Sequence, residues 1–521
     1  MNRCLRFAAL GLLFVTSPAS HGAQAKLDVL DSGLTPERVE QRSYGDYVRQ
    51  CVDLLLEHGT DRYGKIQAPI LVAILDVRTR QCPEDPLPLD EAWRVMRRGR
   101  RAPAGNNLYL DQPLLRVLHA LSERTGEKRY AVFSDQYAAY VMKNLVDDKG
   151  FFWWGWHRHY DVFRDVMDGH SGSPHEIHIQ QTVWPLLWRA GRDPVVREIE
   201  SIWQWHVIDK DTGEVNRHGD GHRGCDFAMS AGEVLAAFAF LYQQTGKEEW
   251  LQRARKVADH HWQHRHLQTT LIPNRPNAGP NRFDGSHCDS SVPGLYCHSL
   301  WKAAEWSGDP LFRQRALEYL HAFARYAYDA EAKAFWGSLE LDGTPVPGPH
   351  VRGGYEQYEP RGHTDLWQPY VAGYEKPLAA AQTYALVYQA TRDPVLLDTA
   401  RKWAESLRRA FPPNHCDEQT WYAIYARDWA PHGTYAEHYG RAISFLLTMH
   451  RATGEKGYLE FAREWAREGV ARLYYQGLFR GHPVKPYYEA MDGVGYFLAA
   501  LLDLDATLSG QPSSALVAEN W

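Results

Sequence analysis

The sequence predicts an all-α protein, a closed (α/α)6 or (α/α)7 toroid of helical hairpins with a small β-hairpin-bearing loop over its mouth. Three observations predict it. An apolar helix, a tight breaker and an amphipathic helix recur six times along the 521 residues. The breakers, at Gly126, Gly191, Gly246, Gly308, Thr391 and Gly454, stand roughly 55 to 85 residues apart, the spacing of a stacked supersecondary repeat. A long loop rich in polar and aromatic residues precedes each apolar helix.

The sixth copy, residues 433–473, shows the unit most plainly. Ala442, Ile443, Leu446, Leu447 and Met449 form one apolar helix face, and Thr453-Gly454 stops it, since Gly takes the left-handed conformation at little cost. Tyr458, Leu459, Phe461, Ala462, Trp465 and Ala466 then start a second apolar stripe. In chain order the earlier copies are 114–143, 183–205, 232–262, 295–326 and 378–407. Pro194, Pro310 and Pro394 open second helices, where a fixed φ suits the first turn. Such a hairpin cannot bury both helices alone, so neighbours must stack. Flanking helices at 36–58 and 491–504 can pair and close the ring, which hides the end surfaces a solenoid would have to cap. The domain plan is a signal peptide at 1–25, one toroid at 35–505 and a tail at 506–521.

Arg3 and Arg6, the apolar run 7–15 and Ala23-Gln24-Ala25 read as a secretory signal. No later run is long enough to cross a bilayer. The expectation is a secreted or periplasmic monomer without a membrane span. Export permits disulfides; Cys51 with Cys82 and Cys288 with Cys297 are the pairings closest in sequence, and the connectivity stays open. The net charge of −6 with interspersed signs gives no nucleic-acid footprint, and the basic run 94–101 reads as a solvated helix end. The 19 Trp, 29 Tyr and 25 His suit sugar rings, whose apolar faces stack on aromatics and whose hydroxyls bond polar edges.

The loops carry the candidate chemistry. In 103–113, Asn107 stands at a helix start, as a cap or as a substrate ligand. The densest loop, 151–178, offers Trp154, Trp156 and Tyr160 as a sugar platform and His157 as an acid or base. His175, Glu176 and His178 are a candidate set for a divalent metal ion. Residues 217–227 bring His218, Asp220, His222, Arg223 and Asp226 around glycines, with a tight turn as the plain alternative. The longest loop, 336–376, adds Arg352, Tyr374 and Lys376 for substrate, and the final loop adds Tyr488 and Glu489. Tyr435, His438, Tyr439 and Arg441 crowd the start of the sixth hairpin.

The repeated hairpins, the Thr-Gly and Gly-Asp-Pro turns and the aromatic loops resemble the six-hairpin glycosidase-like superfamily, over residues 35–505. The α/α-toroid polysaccharide lyases are similar in architecture. The His-x-Asp-Asp-Pro segment of unsaturated glucuronyl hydrolases and the adjacent cysteines of zinc-dependent arabinofuranosidases are missing. The resemblance implies an enzyme acting on polysaccharide or oligosaccharide. The first expectation is a lyase on a uronate polymer, with Tyr439 or Tyr435 and His438 or His157 moving protons while Asn107 and Arg441 neutralise the carboxylate. The second is a glycoside hydrolase drawing two carboxyl groups from Glu176, Asp226, Glu375, Glu437 and Glu489. A sugar epimerase, a non-catalytic sugar-binding protein and a helical scaffold complete the alternatives.

Overall fold

The computed structural model describes residues 29–84, 105–155, 158–169, 174–177, 181–224, 226–274, 287–350, 359–367, 376–414 and 427–514. Everything said of the structure refers to these. The proposed signal segment lies outside them.

Two helices open the chain, α1 (Pro36–Val39) and α2 (Tyr44–His58). Six hairpins follow. They are α3 (Leu108–Thr125) with α4 (Arg129–Asn144), α5 (Trp184–Ala190) with α6 (Arg192–Ser201), and α7 (Ala228–Thr245) with α8 (Glu248–Gln263). Next come α9 (Cys297–Ser307) with α10 (Pro310–Tyr326), α11 (Pro377–Thr391) with α12 (Pro394–Arg409), and α13 (Ala436–Thr453) with α14 (Lys456–Leu473). The last helix, α15 (Val494–Leu508), packs between α13 and α3 and is backed by α2. α2 and α15 therefore form a seventh pair, and the ring is an (α/α)7 toroid.

The first helix of each hairpin except the short α5 is buried over most of its surface, whereas its partner buries only one stripe. Four inner helices end on a left-handed glycine, Gly126, Gly246, Gly308 and Gly454, with φ between 67° and 75°. Arg392 takes that conformation after α11. Gly191 instead is extended, because α6 starts at once. Asp309 and Asp393 cap α10 and α12 by accepting from the Leu311 and Val395 N–H groups, which explains the Gly-Asp-Pro and Arg-Asp-Pro breakers.

The short hairpin α5/α6 is fitted into the ring by side chains. Gln112 of α3 accepts from the Val183 N–H at 2.8 Å, and Glu233 of α7 accepts from the Thr182 N–H at 2.9 Å. Trp184 and Trp188 pack on Phe240 of α7.

Short strands tie the inter-hairpin loops together at one end of the ring. β1 (Ile74–Asp76) pairs antiparallel with β7 (Tyr487–Glu489), Ile74 opposite Glu489. β2 (Gly105–Asn106), β3 (Arg158–Asp161) and β4 (Val166–Gly169) form one three-stranded sheet. The hairpin expected inside 336–376 is present at 338–346, where the Glu340 and Val346 N–H groups donate to the Thr344 and Ser338 carbonyls at 2.8 and 3.1 Å. Its segment β6 (Ser338–Leu339) also pairs with β5 (Cys288–Asp289) of the preceding loop, so the long loop is knitted to its neighbour. Cys51, Cys82, Cys288 and Cys297 are buried free thiols. No helix among the described residues is long and apolar enough to cross a membrane.

Candidate active site

The loops ahead of α5 and α7 meet in a two-residue ribbon. Glu176 and His218 form an antiparallel bridge, with the Ile177 N–H donating to the Arg217 carbonyl at 2.9 Å and the Gly219 N–H to the His175 carbonyl at 2.8 Å. In such a ribbon the directly opposed pair points to one face and its sequence neighbours to the other. Glu176 and His218 thus share a face, with His218 Nε2 at 3.6 Å from Glu176 Oε1. The long Arg217 side chain reaches the same carboxylate at 3.0 Å, donates from Nε toward His218 Nε2 at 3.4 Å, and lies over the Phe227 ring. Glu176 and Arg217 are nearly buried, whereas the His218 side chain keeps 14% of its surface exposed.

His175 turns to the opposite face, into a small cavity lined by Tyr109, Trp154, Glu176, Trp184, Glu198 and Glu233. Its Nδ1 lies 2.7 Å from His206 Nε2, and its Nε2 accepts from Trp154 Nε1 at 2.8 Å and faces Glu198 Oε1 at 3.0 Å. Both ring nitrogens are engaged within the protein, so the geometry does not offer His175 to a metal ion as the sequence reading expected. His178 lies outside the described residues, and among those described no three His, Cys, Asp or Glu side chains gather as a metal site.

Burial pushes Glu198 and Glu233 up to about 8. The folded state then holds protons that the unfolded chain releases above a carboxyl value of 4.5, so stability falls as pH rises from about 4.5 to about 8. Glu233→Gln is expected to flatten part of this fall, read from urea midpoints at pH 5 and pH 8.

Other nominated residues have structural work. Asn107 caps α3 through the Tyr109 N–H, and its amide bonds the Gly155 N–H and the Gly155 and Arg158 carbonyls. At 2% exposure its bonding capacity is used inside the protein, which corrects its assignment to substrate. Asn107→Ala is expected to cost about 2 kcal/mol, a lost cap plus orphaned backbone groups, measured by denaturant unfolding. Trp154 is buried beside His175 rather than presented as a platform. Tyr160 lies buried in β3, its hydroxyl turned to Asp165. Trp156, His157, Arg352, Tyr374 and Glu375 lie outside the described residues.

Around α13, Tyr439 is fully buried, with its ring against Trp465 of α14 and Phe497 of α15 and its pKa raised well above the usual phenol value by burial. It belongs to the packing between helix layers, which corrects its nomination for proton transfer. Tyr435 and His438 do come together, ring centres 5.7 Å apart, and Tyr435 also packs on His482. His438 Nδ1 pairs with Thr434 Oγ1 at 2.6 Å. Arg441 is paired with Glu437 at 2.6 Å and covers the Tyr496 ring. Lys376 donates its backbone N–H to Ser290 Oγ beside Asp289, whose carboxyl is pushed up to about 7 by burial.

The final loop folds inward. Tyr488 is buried near Asp111, and its hydroxyl finds no partner among the described residues. Glu489 is fully buried, its carboxylate 2.7 Å from Lys485 Nζ, which also meets Asp492 at 2.5 Å. Both side chains, expected at the substrate, are turned into the protein interior. Burial was the information missing from the sequence. Arg217 and His218 were legible only as part of a glycine-rich turn; that they face Glu176 is a tertiary fact.

Residues 90–229 match the family described as periplasmic pectate lyase, a little over a quarter of the chain, and they contain Glu176, Arg217 and His218. Over 124 residues the chain is 27% identical to a pectate disaccharide-lyase of Dickeya dadantii (strain 3937), which is 23% of this chain and 23% of that protein. The chain thus matches about a quarter of that relative's length. Among solved structures, a sugar epimerase from a ruminal bacterium is 10% identical, covering 90% of this chain and 99% of that one, with a TM-score of 0.47. An unsaturated glucuronyl hydrolase specific for heparin is 12% identical, covering 90% and 98%, with a TM-score of 0.46. The pectate lyase match bears out the resemblance to polysaccharide lyases.

Proposed function

We propose that this protein is a polysaccharide lyase that cleaves a uronate polymer by β-elimination, in the periplasm or outside the cell, and that its site is centred on Arg217, His218 and Glu176. One observation carries the reading: these three side chains converge within hydrogen-bond or ion-pair distance, and they do so inside the segment that matches pectate lyases.

β-Elimination removes the proton on C5 of the uronate, forms the C4–C5 double bond and breaks the C4–O bond, the leaving oxygen taking up a proton to become a hydroxyl of the released chain. The C5 proton becomes acidic only when the adjacent carboxylate is neutralised. Arg217 supplies a planar, permanently charged fork for that carboxylate, and Glu176 with the Phe227 face fixes its plane. His218, the most exposed of the three, is the group that meets substrate first. With Arg217 held as the charged fork, the proton acceptor is the His218 imidazole. kcat/KM is therefore expected to fall on the acid side as the imidazole takes up a proton, and a profile flat on that side would reject His218 as the acceptor.

The test is turnover of polygalacturonate and of neutral polysaccharides, followed by ultraviolet absorbance of the unsaturated uronate and by new reducing ends. Both signals on the acidic polymer support elimination. Reducing ends without absorbance would reject it in favour of a carboxylate-pair hydrolase. Tyr439→Phe, which removes only a buried hydroxyl from the helix packing, is expected to keep turnover within about threefold of the parent protein, whereas a group moving protons contributes about 10²-fold or more.

A further inference from the structure

Behind Glu176 and Arg217 lies a chain of buried groups that the proposed chemistry does not use. It begins at the Asn216 carbonyl, 2.8 Å from His206 Nδ1. A carbonyl only accepts, so His206 carries a proton on Nδ1, and the neutral ring that its burial favours presents a bare Nε2. His175 Nδ1, at 2.7 Å, must then donate to it, which leaves His175 Nε2 as an acceptor. That nitrogen lies 3.0 Å from Glu198 Oε1 and 2.8 Å from Trp154 Nε1, whose N–H also reaches Glu198 Oε1 at 3.2 Å. All three groups are satisfied when Glu198 carries a proton on Oε1, donates it to His175 Nε2 and shares the Trp154 N–H with that nitrogen, so each link fixes the direction of the next.

The surroundings agree. His175, His206 and Glu198 are almost wholly buried, and burial holds both imidazoles well below their usual value while raising the carboxyl. The charges facing them are Arg158, already paired with Asp147 at 2.8 Å, together with Glu176 and His218 of the ribbon. The Phe151 ring stacks on His175, 4.1 Å between centres and 4° from parallel. A Cβ on Gly219 would come within 2.9 Å of both His206 Nε2 and Phe151, so a side chain there would push the stack apart. His206 reaches its place from a π-helical turn, Ile202–His206, a wider turn than the helix it ends. It is fastened to Asn216 twice, since the Asn216 N–H also donates to the His206 carbonyl at 2.7 Å.

The geometry points to His206 and His175 as positioning residues: with Glu198 they form a one-way hydrogen-bond relay that holds the segment bearing Glu176 in register with the segment bearing Arg217 and His218. His175 immediately precedes Glu176, and Asn216 immediately precedes Arg217, so the relay spans the two ends of the ribbon. Its catalytic consequence rests on the reading of Arg217 and His218 as the site of elimination. Its structural consequence does not.

Three measurements separate the two. Nitrogen spectra of labelled histidines, assigned through His175→Gln and His206→Gln, should show both rings neutral with the proton on Nδ1. An Nε2–H form or an imidazolium at either position at pH 7 overturns the relay. Amide exchange should report the register: in His206→Ala, Ile177 and Gly219 should exchange at least about tenfold faster while the helices remain protected. Unchanged exchange at those two amides overturns the positioning role. In turnover, Glu198→Ala should lower kcat about tenfold or more with KM nearly unchanged, and Glu198→Gln, which keeps a neutral donor, should restore it to within about threefold. A Gln variant as impaired as the Ala variant would place a charge on Glu198 and reject the relay. Should His206→Ala fail to fold, the histidine spectra of the parent protein and the Glu198 pair still decide. A parent protein without eliminase activity would remove the proposed function, and the spectra and exchange would still decide the relay.

Discussion

Exchanging Arg217 for lysine is expected to lower kcat/KM on polygalacturonate by about 10² to 10³-fold, the loss typical of removing one well-aimed charged donor from a transition state. Lysine keeps the positive charge, so Glu176 is not left alone in a nearly buried position, and the fold should survive. What it loses is the planar fork held between the Glu176 carboxylate and the Phe227 ring. A point charge on a flexible stem cannot meet a uronate carboxylate with two parallel hydrogen bonds. Most of the loss should appear in kcat, because the charge on the substrate grows at the carboxylate as C5 loses its proton. Initial rates by ultraviolet absorbance give the number. A rate within about threefold of the parent protein would remove Arg217 from the mechanism.

The second large effect is on stability. Lys485→Met is expected to cost about 3 to 5 kcal/mol, because it strips the cation from Glu489 and Asp492, both at 0% exposure. Glu489 sits in β7 opposite Ile74, and Asp492 precedes the first turn of α15, so the loss would loosen the seam where the last helix closes the ring. The triple variant Lys485→Met, Glu489→Gln, Asp492→Asn should recover most of it, since neutral amides carry a smaller desolvation penalty. Urea unfolding of both variants makes the comparison. A single variant within about 1 kcal/mol of the parent protein would mean that the triad contributes little to closing the ring.

The hairpin repeat was readable because each unit writes its own signals. Thr-Gly and Asp-Pro breakers act through φ preferences and capping within four residues, and apolar stripes at helical spacing act through burial of one face. The flanking helices announced ring closure in the same way, and the (α/α)7 count followed once α15 was found backed by α2. The candidate site was far less readable. Tyr435, His438, Tyr439 and Arg441 stand within seven positions of one helix start, yet they separate: Tyr439 enters the packing under α14 and α15, Arg441 turns to Glu437 and Tyr496, and only Tyr435 and His438 stay together. Helical periodicity of 3.6 sends neighbours to different faces, and the sequence does not state which face is wet.

The same ambiguity governs the loops. His175 and Glu176 are adjacent, and extended backbone points them to opposite sides, one into the buried relay and the other toward Arg217 and His218. Local sequence determined the helices, their stops, the caps and the all-α class, because those depend on interactions a few residues apart. The partners of Glu176 lie 41 and 42 positions further along the chain and those of Glu489 depend on a buried turn, so only the packed ring decided which polar residues became structure and which remained available for chemistry.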